Sequence, residues 1–291
     1  MQWHEAAPAK INLFLHVGPV GADGYHPLCS LVAFADVVDM LTLDPDGPPG
    51  LTVTGPFAHA LAGQPRTAAD NLVLRALAGL TAATGLETSG LSLTLDKRLP
   101  VAAGLGGGSA DAGAALRLAR RYLAPDLNDE VLVGVAEGLG ADGPMCLAAT
   151  PARAEGRGEV LTPEPRLPPL HAVLVNPGVP SPTGAVYGAY DTLGKGQADC
   201  PADPANWEAE AVIRWLAEQR NDLEAPALLN TPAIGTALEA MRAEGHAQLV
   251  RMSGSGATVF GLYTDAAAAA HAAEALTSAH PHWWVRPARL G

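Results

Sequence analysis

The sequence predicts an α+β fold, built as a two-layer α/β sandwich in two domains. Strand-like and helix-like segments are mixed along the chain, and neighbouring strand segments suit antiparallel pairing better than a doubly wound parallel sheet. A length of 291 residues is enough for two domains. The Pro-, Gly- and Arg-rich stretch 151–169 marks the crossover, which predicts domains at 1–155 and 156–291.

Apolar periodicity and turn residues define the individual elements. Strands are predicted at 11–17, 31–40, 51–54, 91–95, 171–176, 249–252 and 257–263, with an edge strand at 283–285. Helices are predicted at 72–84, 112–123, 130–139, 206–219 and 265–279. Asp70 and Asn71 have the side chains typical of a helix cap, so they are expected to begin the helix at 72–84.

Composition restricts the class of protein. Hydrophobic residues make up 48% of the chain and charged residues 16%, which is typical of a globular protein. The net charge of −12 argues against a nucleic-acid binder, and no apolar run is long enough for a membrane span. The N-terminus does not resemble a signal peptide. Cys29, Cys146 and Cys200 show no disulfide or zinc pattern, so a reducing cytoplasm is expected.

The most informative stretch is the glycine loop, residues 100–110. It follows a predicted strand and leads into a predicted helix, and it contains Gly104, Gly106, Gly107, Gly108 and one serine. Glycines there allow positive φ and a close approach of the backbone to a ligand. Free N–H groups and the positive end of the helix dipole suit a phosphate chain. The alternative is a connecting turn, but one turn needs only one or two glycines.

Two common phosphate-binding patterns fit this loop poorly. The Walker A pattern ends in Gly-Lys-Ser/Thr, and no lysine follows these glycines. The dinucleotide pattern G-x-G-x-x-G requires glycine where the chain has Ser109, and it belongs to the first strand of a βαβ unit. Neither of the two common phosphate-binding patterns therefore accounts for this loop.

Two further residues suggest chemistry at a polar site. Lys10 is one of only three lysines and begins an apolar strand, where its charge must face a cleft or the solvent. Asp142 lies in Gly-Ala-Asp-Gly-Pro, and such a loop carboxylate can accept a proton from an alcohol. Taken alone, Lys10 could be a solvated strand end and Asp142 a turn residue.

Aromatic side chains suggest a base-binding loop. Tyr25 and His26, in Asp23-Gly-Tyr-His, offer two flat rings that can stack on a nucleobase, although a surface Tyr-His pair is often incidental. His280 and His282 lack a third ligand, so a metal site is not predicted there.

Together these motifs resemble the superfamily of small-molecule kinases that includes galactokinase, homoserine kinase, mevalonate kinase and phosphomevalonate kinase. The glycine loop resembles its Pro-x-x-x-Gly-Leu-Gly-x-x-Ser/Ala motif. Asp-Gly-Tyr-His resembles a segment of one branch, whose acceptor carries a cytidine diphosphate group. Further matches run along nearly the whole chain, at 9–15, 70–72, 97–110, 140–144, 154–159, 176–183, 221–224 and 252–258.

The resemblance implies an enzyme of the non-mevalonate route to isoprenoid precursors. It implies that ATP phosphorylates the tertiary 2-hydroxyl of a diphosphocytidyl methylerythritol in a cleft between the domains. Residues 1–155 would bind nucleotide and carry catalysis, and 156–291 would lie on the substrate side. Magnesium is expected with ATP, although no protein ligand for it can be named. The expected partner is a small molecule, with no nucleic acid and no membrane.

The resemblance also implies a role for each matched residue. Asp142 would be the base, and Lys10 would hold it ionised and neutralise charge on the transferred phosphoryl group. Substrate contacts are implied for Asn12, Tyr25, His26 and Thr183. Nucleotide contacts are implied for Asn71, Lys97, Pro100, Val101, Ala102, Ala103, Gly104, Leu105, Gly106, Gly107, Gly108, Ser109 and Ala110.

The chain departs from the family pattern at three positions. Gly21 stands where a basic residue is usual, Gly143 replaces a β-branched residue after the proposed base, and Ala110 replaces a common serine. Gly143 is expected to loosen its loop.

Two competing hypotheses are another kinase of the superfamily and a non-catalytic relative. Asp-Gly-Tyr-His argues against the first, and the presence of both Lys10 and Asp142 against the second.

Overall fold

The computed structural model describes residues 1–61, 71–193 and 196–291. Asp70, predicted as part of a helix cap, and Lys195 lie outside the described residues. The chain forms two compact units, and neither is one continuous stretch. Unit 1 contains Met1–Ala9, Val38–Val101 and Gly106–Ala149; unit 2 contains Lys10–Val37, Ala102–Leu105 and Thr150–Gly291. The predicted domain boundary at 155/156 stays a prediction.

Two long strands contribute residues to both units. They are β1 (Trp3–Val17) and β2 (Leu28–Leu43). The other elements of unit 1 are β3 (Gly50–Thr54), a 3-10 turn (Ala58–Leu61), α1 (Leu72–Thr84), β4 (Ser92–Asp96), α2 (Gly107–Leu123), α3 (Asp129–Glu137) and α4 (Gly143–Ala148). In unit 1, β4 pairs with β2 antiparallel and with β3 parallel. Helix α2 packs against α1 and α4, and α3 packs against the same two helices.

Small residues allow the helices of unit 1 to pack closely. A Cβ on Gly113 of α2 would lie 2.6 Å from the Cys146 carbonyl oxygen in α4. A Cβ on Gly143, at the start of α4, would lie 2.0 Å from the Ala136 carbonyl oxygen in α3. Glycine at 143 is therefore what permits α4 to begin in contact with α3, and the expectation that it loosens its loop stays a prediction.

Unit 2 is built on an antiparallel sheet. Its elements are β5 (Ala152–Gly156), β6 (Val160–Pro163), β7 (Leu170–Asn176), α5 (Thr183–Leu193), α6 (Ala209–Ala217), α7 (Glu224–Asn230), α8 (Ala233–Glu244), β8 (Leu249–Met252), β9 (Val259–Tyr263), α9 (Ala266–Ala279) and β10 (Trp284–Leu290). The strand order is β2-β10-β7-β9-β8, and β5 pairs with both β2 and β6. Helices α8 and α9 pack on this sheet and cover an apolar core that includes Val173, Leu238 and Leu276.

The mixed α+β class is confirmed, and several element boundaries differ from the predictions. Helix α2 begins at Gly107, five residues before the predicted start, because the low helix propensity of glycine concealed its first turn. The predicted edge strand at 283–285 is β10, which lies between β2 and β7. The prediction of an edge position is therefore wrong, because the pairing partners of this strand lie far away in the sequence. The predicted crossover 151–169 contains the β5–β6 hairpin.

The cysteine prediction is also wrong. Cys29 and Cys200 form a disulfide with Cα atoms 5.4 Å apart. They are 171 residues apart in sequence and belong to no spacing motif, so only the tertiary fold brings them together. Among the described residues, no helix combines the length and apolar character that a membrane span requires.

The close contact at Gly143 predicts a stability effect. We expect Gly143→Ala to lower stability by about 1–3 kcal/mol, because the new methyl group overlaps a backbone carbonyl that cannot swing away. Thermal unfolding monitored by circular dichroism measures the effect. The matched control is Gly134→Ala in α3, where a Cβ meets nothing within 4 Å and the loss of a helical glycine should stabilise. A Gly143→Ala protein as stable as this control would contradict the packing argument.

Candidate active site

The glycine loop combines left-handed residues with a helix start. Ala102, Gly104 and Gly106 have φ values of 53°, 73° and 61°. Gly107 and Gly108 are already helical, as the first residues of α2. Pro100 is buried, Val101 is half-buried, and Ser109 lies half-buried in the first turn of the helix. Three residues with left-handed backbone conformation therefore precede the N-terminus of α2.

The start of α2 has no side-chain cap. Its N-cap is Gly106, and its first turn contains no acidic residue. The N–H of Ala110 donates to the Gly106 carbonyl at 2.8 Å and begins the helical ladder. The N–H groups of Gly107, Gly108 and Ser109 precede that ladder, so the helix itself does not use them. With the helix dipole, they can receive an anion.

A buried group of three charges lies beneath this loop. Lys97 Nζ donates to Asp39 Oδ2 at 2.5 Å and to Asp111 Oδ2 at 2.6 Å. All three side chains are buried, at 3%, 0% and 5% exposure. Asp39 Oδ1 also accepts the N–H groups of Arg98 and Leu99. A Cβ on Gly107 would lie 3.2 Å from Lys97 Nζ, so this charge triad directly supports the end of the loop.

The electrostatics of the charge triad are strongly coupled. Burial raises the pKa of Asp111 to about 8; Lys97 opposes that shift, and Asp39 adds to it. Burial acts to lower the pKa of Lys97, but the two carboxylates outweigh it and raise that pKa. Because the Lys97 ammonium donates to the side chains of both Asp39 and Asp111, the geometry favours a role for Lys97 in shaping the loop. A direct nucleotide contact through its ammonium stays a prediction.

The first half of the loop belongs to unit 2. Lys10 is buried, and its N–H donates to the Leu105 carbonyl at 2.8 Å. The Ala102 and Ala103 carbonyls accept the N–H groups of Ser181 and Thr258, at 3.3 and 3.0 Å. These bonds hold residues 102–105 against the rest of the unit.

Gly104 has a packing reason to be glycine. Its carbonyl accepts a hydrogen bond from Ser253 Oγ at 3.0 Å. A Cβ at Gly104 would lie 2.3 Å from the Ser253 carbonyl oxygen and 2.9 Å from Gly256 N. The close backbone approach expected for a ligand is made here by the second glycine-rich turn, residues 253–256.

Asn12 is held by the same turn. Its N–H donates to Ser253 Oγ at 3.2 Å, and its Nδ2 donates to Ser30 Oγ at 2.8 Å. Ser30 Oγ in turn donates to the Phe14 carbonyl at 2.6 Å. Asn12 is buried, and its Oδ1 accepts no hydrogen bond from the described residues. An unsatisfied buried acceptor is costly, so it indicates a place for a donor from a ligand or water.

Thr183 and His26 are linked through α5. Thr183 begins α5, and its Oγ1 lies 2.9 Å from Ser255 Oγ. Tyr187, one turn later, lies against the His26 ring with centroids 5.0 Å apart. His26 Nδ1 lies 2.9 Å from the Gly18 carbonyl oxygen. The helix thus connects the threonine to the predicted base-binding loop.

Tyr25 and His26 point into different environments. His26 is half-buried against Tyr187 and Tyr190, whereas Tyr25 is 56% exposed. The Arg157 guanidinium carbon lies 4.8 Å from the centroid of the Tyr25 ring. The exposed tyrosine ring can therefore receive a planar ligand, whereas the histidine ring is already packed.

Asp142 and Asn71 occupy helix starts in unit 1. Asp142 is the N-cap residue of α4, and its side chain makes no cap hydrogen bond to that helix. Pro144 follows in the first turn and stiffens the backbone there. Asn71 Oδ1 accepts the N–H of Val73 at 2.9 Å and caps α1, as predicted. The Asn71 side-chain oxygen is therefore occupied by the helix cap, and a nucleotide contact by this residue stays a prediction.

The structure groups the predicted residues unit by unit. In unit 2, Lys10, Asn12, Gly104, Leu105 and Thr183 meet around the turn 253–256 or the strand beside it. In unit 1, Lys97 and the residues 106–110 share the charge triad and the start of α2. Asp142 belongs to unit 1 and Lys10 to unit 2. The described residues contain no group of three or more His, Cys, Asp or Glu side chains that could hold a metal ion.

Sequence reasoning did not single out several residues that build this site. They are Ser30, Asp39, Asp111 and Tyr187. Ser253 and Ser255 lie in the matched segment 252–258, but no role was predicted for either. Asp39 and Asp111 resemble ordinary surface acids in the sequence. The turn Ser-Gly-Ser-Gly carried a signal, because its two glycines repeat the composition of the first loop.

Comparison with known families identifies both halves of the chain. Residues 71–149 match the GHMP kinases N terminal domain, and residues 208–282 match the GHMP kinases C terminal model. A crystal structure of homoserine kinase from Cytophaga hutchinsonii shares the fold, with a TM-score of 0.67 and 20% identity over 98% of this chain and 94% of that chain.

Relatives that match over the full length of the chain identify a narrower family than the two domain models do. The chain is 52% identical to 4-diphosphocytidyl-2-C-methyl-D-erythritol kinase of Caulobacter vibrioides, covering 98% of both chains. It is 51% identical to the protein of the same name from Methylobacterium radiotolerans, again over 98% of both. A crystal structure of 4-(cytidine 5'-diphospho)-2C-methyl-D-erythritol kinase matches with a TM-score of 0.80 and 36% identity over 99% of each chain. The chain therefore belongs to the 4-diphosphocytidyl-2-C-methyl-D-erythritol kinase family of the GHMP kinases.

Proposed function

We propose that the protein transfers the γ-phosphoryl group of ATP to the 2-hydroxyl of 4-diphosphocytidyl-2-C-methyl-D-erythritol, in the non-mevalonate route to isoprenoid precursors. The observation that carries the proposal is its full-length similarity to kinases named for that substrate. Each residue implied for the acceptor, Asn12, Tyr25, His26 and Thr183, is present in this chain. The reaction breaks the bond between the β,γ-bridging oxygen and the γ-phosphorus, and it forms one P–O bond to the acceptor.

The ATP phosphates are proposed to lie at the start of α2. Three N–H groups at the start of the helix make no hydrogen bond within the helix, and no side chain caps them. The first turn also contains no acidic residue that would repel a phosphate. Ser109 adds a hydroxyl donor there. Nucleotide contacts proposed for Asn71, Lys97 and the remaining loop residues rest on the resemblance alone.

Magnesium is proposed to arrive with ATP. Mg²⁺ at kinase sites is usually held by one or two carboxylates together with substrate phosphates. The ion would neutralise charge on the phosphates, and no protein ligand is assigned to it.

Asp142 is proposed to accept the proton of the 2-hydroxyl. Its carboxylate is half-buried and does not cap the helix that it begins. Lys10 is proposed to favour the ionised form of that carboxylate and to balance charge on the transferred group. Asn12 Oδ1, a buried acceptor, is proposed to accept a hydrogen bond from a hydroxyl of the substrate.

The domain roles and the location also belong to the proposal. Residues 1–155 are proposed as the nucleotide and catalytic part and 156–291 as the substrate side. A cytoplasmic location is proposed from the sequence. The disulfide between Cys29 and Cys200 does not support it, because such bonds are rare in a reducing cytoplasm.

Substrate choice is the first test. We expect ADP release with the diphosphocytidyl substrate and little release with the same polyol lacking cytidine, because the base and diphosphate supply most of the binding contacts. A coupled ADP-release assay with each acceptor measures this. Homoserine and mevalonate serve as acceptors for the competing hypothesis of another kinase of the superfamily. Equal turnover of the truncated polyol would contradict the proposal, and no turnover of any acceptor would favour a non-catalytic relative.

The proposed base predicts a rate effect. Asp142→Asn should lower kcat by about 10²–10⁴, the usual contribution of a general base, with little change in KM for ATP. Asp126→Asn, an exposed loop carboxylate of the same unit, is the matched control. A variant that keeps more than about a tenth of kcat would contradict the role as base. Such a modest loss would indicate positioning of the acceptor, since proton removal can lag in a loose transition state.

The loop assignment predicts a binding effect. Gly106→Val should raise KM for ATP sharply, because a β-branched residue at φ 61° is strained and would reshape the start of α2. Gly245→Val is the matched control, since Gly245 caps α8 with φ 88° in unit 2. Circular dichroism should confirm that both proteins are folded. Similar ATP affinities in the two variants would contradict the assignment.

A further inference from the structure

Arg157 contacts the loop that carries Tyr25. Its guanidinium carbon lies 4.8 Å from the Tyr25 ring centroid, within the range of a cation–π contact. Its Nη1 lies 4.0 Å from Asp23 Oδ2. Asp23 Oδ1 accepts the N–H of Tyr25 at 3.1 Å. Arg157 therefore contacts the Tyr25 ring, and Asp23 holds the Tyr25 backbone.

The sheet determines where Arg157 lies. Strand β5 pairs with β2 up to Leu28↔Gly156, and Arg157 comes directly after that last pair. The tip of the β5–β6 hairpin is a tight turn, in which the Arg157 N–H donates to the Glu159 carboxylate. Because Tyr25 comes three residues before β2, the same pairing brings the arginine and the tyrosine together.

Because the side chains around Tyr25 are exposed, the contact with Arg157 matters for the orientation of the Tyr25 ring. The side chains of Arg157 and Asp23 are 49% and 57% exposed, and Tyr25 is 56% exposed, so apolar packing does little to orient the ring. A mobile ring loses rotamer freedom when it stacks on a ligand, and a ring that is already oriented loses less. The arginine covers the ring from one side only.

We propose that Arg157 is a positioning residue for the acceptor: it holds the Tyr25 ring in the orientation that receives the cytosine base. This inference rests on the proposed function, in which Tyr25 stacks on the base. Position 21, where a basic residue would be expected from the family pattern, is glycine in this chain. The positive charge beside the Asp23–Tyr25 loop comes instead from the hairpin. Arg157 thus acts through Tyr25 and not on the substrate.

A double-mutant cycle tests the inference. The four proteins are the wild type, Arg157→Gln, Tyr25→Ala and the double variant. Glutamine keeps part of the aliphatic stem and removes the cation. KM for the diphosphocytidyl substrate, KM for ATP and kcat are measured by ADP release, and CDP affinity is measured by calorimetry. Arg286→Gln is the matched control, since Arg286 lies 5.7 Å from the Trp284 ring centroid on β10.

We expect Arg157→Gln to raise KM for the acceptor about two- to fivefold, as an exposed cation–π contact predicts, with kcat and KM for ATP unchanged. Tyr25→Ala should raise the acceptor KM about 5- to 150-fold, from the usual contribution of a stacked base. In the Tyr25→Ala background, Arg157→Gln should add no further effect. CDP affinity should follow the same pattern, and Arg286→Gln should match the wild type.

Other outcomes overturn the inference. Additive effects of the two substitutions would mean that Arg157 contacts the substrate itself. An Arg157→Gln protein with wild-type KM and CDP affinity would mean that the contact has no role. An unaffected Tyr25→Ala protein would remove the stacking contact and this inference with it. Failure of the wild type to turn over the diphosphocytidyl substrate would contradict the proposed function separately, because CDP affinity still tests Arg157.

Discussion

The bonds from Lys97 to Asp39 and Asp111 are the constraint on which unit 1 depends. They join the end of β4, the middle of β2 and the first turns of α2 at one buried point. Removing one partner from a buried ion pair leaves an uncompensated charge and usually costs about 3–5 kcal/mol. The triad therefore fixes both where the glycine loop leaves the sheet and where its helix begins. Asp39 extends this control to the backbone at Arg98 and Leu99.

The sequence predicted well those elements whose signals are local. The bounds of α1 at 72–84 and of β8 at 249–252 agree with the structure, because a cap, a C-terminal glycine and clear apolar patterns define them. It predicted poorly what depends on distant contacts. The central place of β10, the disulfide between Cys29 and Cys200 and the charge triad all join segments far apart in the chain. No local pattern carries that information.

In the candidate site, too, residues with a local sequence signal were predicted and residues that depend on distant contacts were not. Motifs pointed to Lys10, Asn12, the glycine loop and the Asp-Gly-Tyr-His segment, because unusual residue types stand out from a chain rich in alanine and leucine. The partners of those residues could not be found in this way. Ser253 reaches Asn12 and Gly104 from more than a hundred residues away, and Tyr187 meets His26 only because α5 folds back beside that loop. The sequence thus indicated the groups proposed to contact a ligand better than the groups that hold them in place.

The contact between Gly143 and Ala136 couples the sequence of α4 to the path of α3. Any side chain at 143 would place its Cβ on the carbonyl at the end of α3. Such a residue becomes tolerable only in a protein whose α3 follows a different path. The residue at 143 and the position of α3 are therefore one joint choice: the present α3 requires glycine, and a larger residue requires another α3.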